Sequence, residues 1–270
     1  MIQFSPAMMK QSRKMLKYTA VLLFTVSVSL VSVELWKRLI PGSDCSDDQR
    51  LHHVQVVYET KGSKSGACGG TLIHKQWVLT AGHCYKGTAG TLKVIVGVHP
   101  TNSEVNKTLT IPHANIKKYS GTLQDGDIML LKLPESVENI KPAKLPDVPC
   151  TRPPARDMLQ VAGHGSASKI YGKAEARLKC LNVSVVSCQN LKCTAFENDK
   201  HVFCGVNLPD QPMIDSCAGD SGGGLLLTGQ TDVVFGVLIG GRRGGCGGQI
   251  VFTDVCEYRA WIKEVMTSET

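Results

Sequence analysis

The 270-residue sequence contains no apolar run of the roughly 20 residues that a membrane-spanning helix requires. It also contains no low-complexity tract, no long linker and no internal repeat with a period of roughly 20–50 residues. Disorder is excluded by the 42% hydrophobic content, and a coiled coil by the 27 Gly and 12 Pro. Eleven cysteines are too few for a small disulfide scaffold but many for a cytosolic enzyme. These exclusions leave a globular protein of one large domain or two small ones.

The formal net charge of +7 is concentrated at the N-terminus. Residues 1–38 contain six Lys or Arg and one acid, so the rest of the chain has 24 bases and 22 acids, a net charge of +2. No motif for DNA or RNA binding occurs in the sequence. We therefore expect no nucleic-acid partner.

Residues 1–32 have the pattern of a secretory signal peptide. Four basic residues precede the uncharged stretch Thr19–Val33, whose small residues offer cleavage sites. Its fifteen residues suit a signal peptide, and a membrane anchor is the alternative. Signal removal predicts an extracellular or secretory-granule protein without a stable membrane anchor, in which cysteines form disulfides. The sequons at Asn106 and Asn182 are then candidate glycan acceptors.

Nine short runs of β-forming residues are separated by Gly, Pro, Asn and Asp, and each predicts a strand. They are Val54–Tyr58, Trp77–Thr80, Leu92–Val98, Asp127–Leu133, Leu159–Ala162, Leu181–Val186, Gly223–Leu227, Val233–Ile239 and Ile250–Thr253. Only Val255–Met266 predicts a helix, because its apolar residues recur at spacings of three and four. Many short strands followed by one terminal helix indicate an all-β barrel or sandwich.

Three segments contain residue types that perform nucleophilic catalysis. LTAGHC contains His83, DGDIMLLKL contains Asp127 at the head of an apolar strand, and DSCAGDSGG contains Ser221 in a glycine-rich turn. A serine nucleophile needs a base within hydrogen-bond reach and a third group that fixes the tautomer of that base. His, Asp and Ser in this chain order are one known solution, although each residue taken singly is more often structural. The glycines would let backbone N–H groups converge on an oxyanion.

With these motifs on one chain, the sequence resembles the chymotrypsin/trypsin-like serine proteases, and within them the trypsin-like subgroup. The resemblance extends over about residues 38–266 and includes CGGTLI from Cys68, VAGHG from Val161 where the family usually has GWG, and the closing VC and WI pairs. It implies an all-β fold of two six-stranded antiparallel barrels packed around a cleft, with a C-terminal helix. It implies neither a cofactor nor a metal.

The resemblance assigns roles to the matching positions. Ser221 would be the nucleophile, His83 the general base and then acid, and Asp127 the carboxylate that orients His83. The N–H groups of Gly219 and Ser221 would form the oxyanion hole. Asp215, six residues before the serine, would form the base of the primary specificity pocket and select Arg or Lys.

The segment RLIPG, which begins at Arg38, resembles the family's activation site RIVGG. It divides the chain into three parts, namely a signal peptide over about 1–32, an activation peptide over 33–38 and a protease domain over 39–270. Cleavage after Arg38 would free the Leu39 amine to pair with Asp220 and order the oxyanion loop. An ordinary dibasic processing site at Lys37-Arg38 is the alternative, and it predicts the same cut.

The resemblance also predicts the disulfides. They are Cys45–Cys180, Cys68–Cys84, Cys150–Cys256 and Cys217–Cys246, with Cys204 joined to Cys188 or Cys193. One of these last two cysteines is left over, as the odd count requires. A sixth trypsin bridge is absent, and Met158 and Leu227 stand at its two positions.

Departures from the family pattern lie on the substrate side. The family's Ser-Trp-Gly reads Ile239-Gly240-Gly241, which removes a hydroxyl partner of the triad Asp and an aromatic wall, while Gly241 remains as a substrate-binding position. Ile250, or alternatively Gly248, stands where a glycine normally lines the pocket.

These departures leave two hypotheses for the function. The first is an active serine endopeptidase, expected to be monomeric, with protein or peptide substrates and protein protease inhibitors as partners. The second is a protease-fold binding protein or nearly inactive homologue whose specificity pocket is occluded. The complete set of triad residues and Arg38 favour the first, and Ile239 and Ile250 favour the second.

Overall fold

The computed structural model describes residues 42–60, 63–120, 126–151, 158–164, 177–188, 201–206, 220–227, 232–241 and 249–269. Leu39–Thr270 form one compact unit. The strands are β1 (Ser43–Asp44), β2 (His53–Thr60), β3 (Ser63–His74), β4 (Trp77–Thr80), β5 (Gly90–Val96), β6 (Lys107–Ile111), β7 (Ile116–Lys118), β8 (Met129–Lys132), β9 (Met158–Gly163), β10 (Lys179–Val186), β11 (Val202–Val206), β12 (Gly224–Leu227), β13 (Val233–Gly241) and β14 (Gln249–Asp254). Helix α1 spans Arg259–Ser268.

The first sheet has seven antiparallel strands in the order β6-β5-β2-β3-β4-β8-β7 and curls into a half-barrel. Alternate residues of its strands face inward, as the pleat of a β-strand requires. In β2, for example, Val54 and Val56 are buried, and they pack with Leu92 and Val94 of the neighbouring β5. This alternation provides one continuous core for the N-terminal half.

The second sheet closes on itself. Strands β10-β11-β14-β13-β12-β9 follow one another, and β9 pairs back with β10, which produces a closed six-stranded antiparallel barrel. The short β1 adds to its outside by pairing Ser43 with Cys180. Its core contains the stacked rings of Phe203 and Phe252, with centroids 5.6 Å apart. The all-β prediction with a C-terminal helix is therefore confirmed, with one closed six-stranded barrel and one sheet that, within the described residues, curls into a half-barrel.

The terminal helix begins later than its apolar pattern predicts, because residues before Arg259 form turns. The N–H groups of Glu257 and Tyr258 donate to Asp254 and Val255, at 3.2 Å in both cases. The helix then buries Ile262 completely against the core of the first sheet. Among the described residues, no helix combines the length and the apolar character needed to cross a membrane.

Four disulfides are formed within the described residues, namely Cys45–Cys180, Cys68–Cys84, Cys150–Cys256 and Cys188–Cys204. The first three pairs are those implied by the resemblance. The fourth decides between the two partners that the sequence leaves open for Cys204. Cys193 and the predicted pair Cys217–Cys246 lie outside the described residues.

Candidate active site

His83 is presented by a short 3-10 turn, Gly82–Cys84, which follows directly after β4. The next residue, Cys84, is buried and bonded to Cys68 of β3, and its N–H donates to Ala81 at 3.2 Å. The His83 side chain itself is 43% exposed. The disulfide therefore fixes the backbone beside the imidazole while the ring faces outward.

Asp127 accepts two hydrogen bonds from His83. Its Oδ1 accepts from the His83 backbone N–H at 2.7 Å, and its Oδ2 lies 2.6 Å from His83 Nδ1. Because a carboxylate only accepts, the ring proton lies on Nδ1 and the lone pair of the neutral ring on Nε2. This arrangement orients the ring and leaves Nε2 able to take a proton.

The carboxylate of Asp127 is 24% exposed. Ile239, at the position where the family has a hydroxyl, packs instead against apolar clusters of both halves of the fold. Thr253 donates its hydroxyl to the backbone carbonyl of Asp127 at 3.3 Å, and not to its carboxylate. A Cβ added at Gly82 would lie 3.1 Å from Asp127 Oδ1, so this glycine lets the turn approach the carboxylate closely.

Ser221 lies in the turn that leads into β12. Its carbonyl accepts the N–H of Gly69 at 2.7 Å and lies 3.9 Å from Cys84 Sγ. Cys84 is the neighbour of His83 in sequence. The fold therefore brings the Ser221 backbone beside the turn that presents His83, although the two residues are 138 positions apart in the chain. Asp127 joins them through its two hydrogen bonds with His83.

Steric constraints explain why a glycine follows Ser221. Gly222 has φ of +86°, a region that side-chain-bearing residues rarely adopt. Its Cα also approaches Thr80 Oγ1 and the carbonyl of Gly69 so closely that a Cβ would collide with both. Its N–H donates to Leu238 in β13 at 2.6 Å. The turn is therefore fixed between the two sheets.

Asp220, the residue before Ser221, is completely buried. Its carboxylate covers Gly163, and a Cβ on that glycine would overlap the carboxylate oxygen. The N–H of Gly223 donates to the Asp220 carbonyl at 3.0 Å. Gly163, the first glycine of the VAGHG motif, is thus required by the position of the buried Asp220 carboxylate. The sequence alone does not reveal this relation.

Sequence reasoning missed a cluster of buried basic side chains behind this turn. Its members, which we call the buried basic cluster, are Arg50, His52, His53, His99 and His164, all 2–7% exposed. The rings of His53 and His164 have centroids 5.4 Å apart. His53 Cε1 lies 3.1 Å from the position that a Cβ on Gly69 would occupy, and Gly69 is the residue that donates to Ser221.

Burial keeps His52, His53 and His164 neutral. Desolvation lowers the pKa of His52 to about 3 and that of His164 to about 4, with Arg50 and His99 respectively adding to the effect. Desolvation, followed by electrostatic interactions with His164 and Arg50, holds the pKa of His53 well below its ordinary value. The only signal in the sequence was the unusual pair of adjacent histidines at the start of a predicted strand.

On the substrate side, Ile250 is 2% exposed and packs with Phe252 in the core of the closed barrel. Its Cγ1 lies 3.1 Å from the position of a Cβ on Gly205. A Cβ on Gly240 would meet no described atom within 4 Å, and Gly241 pairs with Ile250 at the end of β13. The predicted site residues Arg38, Leu39, Asp215 and Gly219, together with the alternative Gly248, lie outside the described residues.

One group of residues has the composition of a metal site. The ligand atoms of Cys68, His83 and Cys84 lie within 4.8 Å of one another. Both sulfurs, however, belong to the Cys68–Cys84 disulfide and cannot act as thiolate ligands. The group therefore lacks the donor set that Zn²⁺ requires.

Comparisons with known proteins agree with this arrangement. The family model for Trypsin matches residues 39–262. Human Kallikrein-4 is 32% identical over 257 residues, which cover 91% of this chain and 93% of the relative, and Trypsin II-P29 of Gallus gallus is 34% identical over 243 residues, covering 86% and 90%. A solved structure described as that of GrC superposes with a TM-score of 0.68 at 25% identity and covers 85% of this chain and all of its own. The chain belongs to the trypsin family and is a serine-type endopeptidase, a hydrolase of peptide bonds.

Proposed function

We propose that the protein is a secreted endopeptidase that cleaves after Arg or Lys through Ser221, His83 and Asp127, and that it is made as a zymogen cut after Arg38. The observation that carries this proposal is the pair of hydrogen bonds from His83 to Asp127, at 2.7 and 2.6 Å. They hold the ring in the tautomer that a serine nucleophile needs.

In the proposed reaction, Ser221 Oγ attacks the substrate carbonyl carbon while His83 Nε2 takes the hydroxyl proton. The N–H groups of Gly219 and Ser221 stabilise the oxyanion. The C–N bond then breaks, and the leaving amine receives the proton from His83. Water repeats the sequence on the acyl-enzyme and releases the acid, and Asp127 stabilises the imidazolium at both stages.

Activation by cleavage after Arg38 would use Asp220. The carboxylate is completely buried and lies against Gly163, in a low-dielectric site where it would attract an ammonium group brought close to it. Ser43 pairs with Cys180 and so anchors the chain to β10. The three residues before Gly42 can span about 10 Å when extended, and this length limits how far from the anchor the Leu39 amine can reach. The Leu39 amine is the proposed partner of the acid.

The route and the form of the product are proposed from the N-terminal pattern and the disulfides. Residues 1–32 would act as the signal peptide, 33–38 as the activation peptide and 39–270 as the protease domain. The four disulfides support an oxidising, extracellular destination. We further propose that the mature protein is a monomer. Its proposed partners are protein or peptide substrates and protein protease inhibitors.

Specificity for Arg or Lys rests on Asp215, whose carboxylate would pair with the substrate cation. Ile250 favours the second candidate function, a weakly active or binding homologue, because its side chain stands where the family has a pocket-lining glycine. A Cβ on Gly240 would meet no described atom within 4 Å, which favours access to the cleft. Whether the specificity pocket admits an Arg or Lys side chain decides between the two candidates.

Hydrolysis of matched Arg, Lys, Phe and Ala peptide esters by the protein cut after Arg38 tests the proposed specificity. Arg and Lys esters should react fastest, and Asp215→Ser should remove that preference while leaving the Ala ester rate within a few fold. Faster hydrolysis of Phe or Ala esters, or an Arg preference that survives Asp215→Ser, would overturn it. Absence of hydrolysis of all four esters would favour the binding candidate.

A further inference from the structure

The two N-glycosylation sequons lie in different surroundings. Asn106 begins the sequence NKT in the loop immediately before β6, and its side chain is exposed. Asn182 begins NVS inside β10, which belongs to the closed barrel, and its side chain is half-buried. A bare sequon does not distinguish them, whereas their exposure and their positions in the fold do.

The amide of Asn106 can carry a substituent without losing its own contact. Its Nδ2 donates to the carbonyl of Gly97 at 3.2 Å, which uses one of its two hydrogens. Its backbone N–H donates to Ser103 at 3.1 Å, so the loop holds the residue in place. Lys107 and Thr108, the other two residues of the sequon, are exposed. The whole recognition tripeptide is accessible.

The position of Asn106 also suits a bulky polar group. Among the described residues β6 pairs only with β5 and forms one edge of the first sheet. An open edge exposes backbone N–H and C=O groups that can pair with another chain, and proteins cover such edges. A glycan at the start of β6 would shield it.

Asn182 lies beside a hydrogen-bonded network that a bulky group on its half-buried amide would crowd. Its Oδ1 accepts from Gln160 Nε2 at 3.2 Å, and Gln160 Oε1 accepts from Arg50 Nε at 2.9 Å. Arg50 is 2% exposed, and its guanidinium also donates to the Gln160 carbonyl. Displacing Gln160 would remove hydrogen bonds from a buried cation, which is costly.

We propose that Asn106 carries an N-linked oligosaccharide and that Asn182 does not. In the transfer, the bond between sugar C1 and the diphosphate of a lipid-linked oligosaccharide donor breaks, and a bond from C1 to Asn106 Nδ2 forms. The amide loses one proton, and the lipid diphosphate leaves. The proposal rests on the secretory route of the proposed function and is independent of catalysis.

Expression of the full chain in a eukaryotic secretory cell, followed by peptide-N-glycosidase F, tests the assignment. The wild-type protein should lose the mass of one glycan, and the enzyme should convert Asn106 to Asp. Asn106→Gln and Thr108→Ala should each abolish the shift. Thr108→Ser, which preserves the sequon, should retain the mass shift of the wild-type protein.

Asn182→Gln is the matched control, and it should leave the shift unchanged. A shift that survives Asn106→Gln, a second glycan on Asn182, or no shift at all in protein recovered from the medium would overturn the proposal. Fluorophosphonate labelling of the same samples reports the activated serine separately. A failed glycan assignment is therefore distinguishable from a failed enzyme assignment.

Discussion

Acidification from pH 7 to pH 5 should destabilise this protein strongly, because His52, His53 and His164 are buried as neutral rings. In the unfolded chain each has a pKa near 6.5, and in the fold those of His52 and His164 fall to about 3 and about 4. At pH 5 the unfolded state therefore binds more protons than the folded one. Stability is complete well above pH 6.5 and decreases as the pH falls toward the folded pKa values.

The size of the effect follows from the same values. Between pH 7 and pH 5 each of His52 and His164 should remove about 2 kcal/mol of unfolding free energy, and the lowered pKa of His53 acts in the same direction. The total for His52 and His164, about 4 kcal/mol, is a large fraction of the roughly 5–15 kcal/mol of a typical domain. Neighbouring charges act in both directions, since Arg50 opposes protonation of His52 while Asp232 lies 3.6 Å from its Nδ1.

Urea unfolding of the Ser221→Ala protein at several pH values between 5 and 7 measures this dependence without self-digestion. His164→Phe, which removes one buried titrating ring, should reduce the pH dependence by about 2 kcal/mol. The matched control is His74→Phe, because His74 is exposed, and it should leave the dependence unchanged. A loss below about 1 kcal/mol in the parent protein would refute the reasoning.

Three further predictions concern the active site and its activation. Ser221→Ala and His83→Ala should each lower turnover by about 10⁴–10⁶-fold in ester assays, and the double variant should be little worse, because neither residue works alone. Arg38→Gln should give a secreted but inactive precursor, and full activity in protein whose N-terminal sequence shows the peptide retained would contradict the zymogen mechanism. Gly163→Ala should abolish activity and lower the thermal midpoint, because its Cβ would overlap the Asp220 carboxylate, whereas Gly240→Ala, whose Cβ would meet no described atom within 4 Å, should leave the midpoint unchanged.

The sequence predicted those parts of the fold and the site that short motifs encode. The residues of the candidate triad stand in local motifs, and the alternation in β2 and β5 is regular enough to indicate half-buried strands. The strand β11, VFCGV, was not predicted, because four of its five residues are buried and the pattern does not alternate. A run that is buried on both faces has no period that distinguishes it from other apolar segments.

Contacts between distant segments could be predicted only where the family resemblance supplied them, as it did for three disulfides. The buried basic cluster joins residues from position 50 to position 164, and no local pattern connects them. The partner of Cys204 was undecided because Cys188 and Cys193 are only five residues apart, and the end of β10 settles it by bringing Cys188 opposite β11. Ile250 was predicted beside a pocket, but which way a strand residue faces depends on register, which pairs it with Gly205 and Gly241.

Fluorophosphonate labelling of the protein cut after Arg38, with the adduct located by peptide mass spectrometry, detects an activated serine without a chosen substrate. If Ser221, His83 and Asp127 act together, one adduct should form, on Ser221, and it should form slowly or not at all in the uncut Arg38→Gln protein and in His83→Ala. A folded, cut protein that acquires no adduct on Ser221, or that is labelled equally after Ser221→Ala, would contradict this expectation.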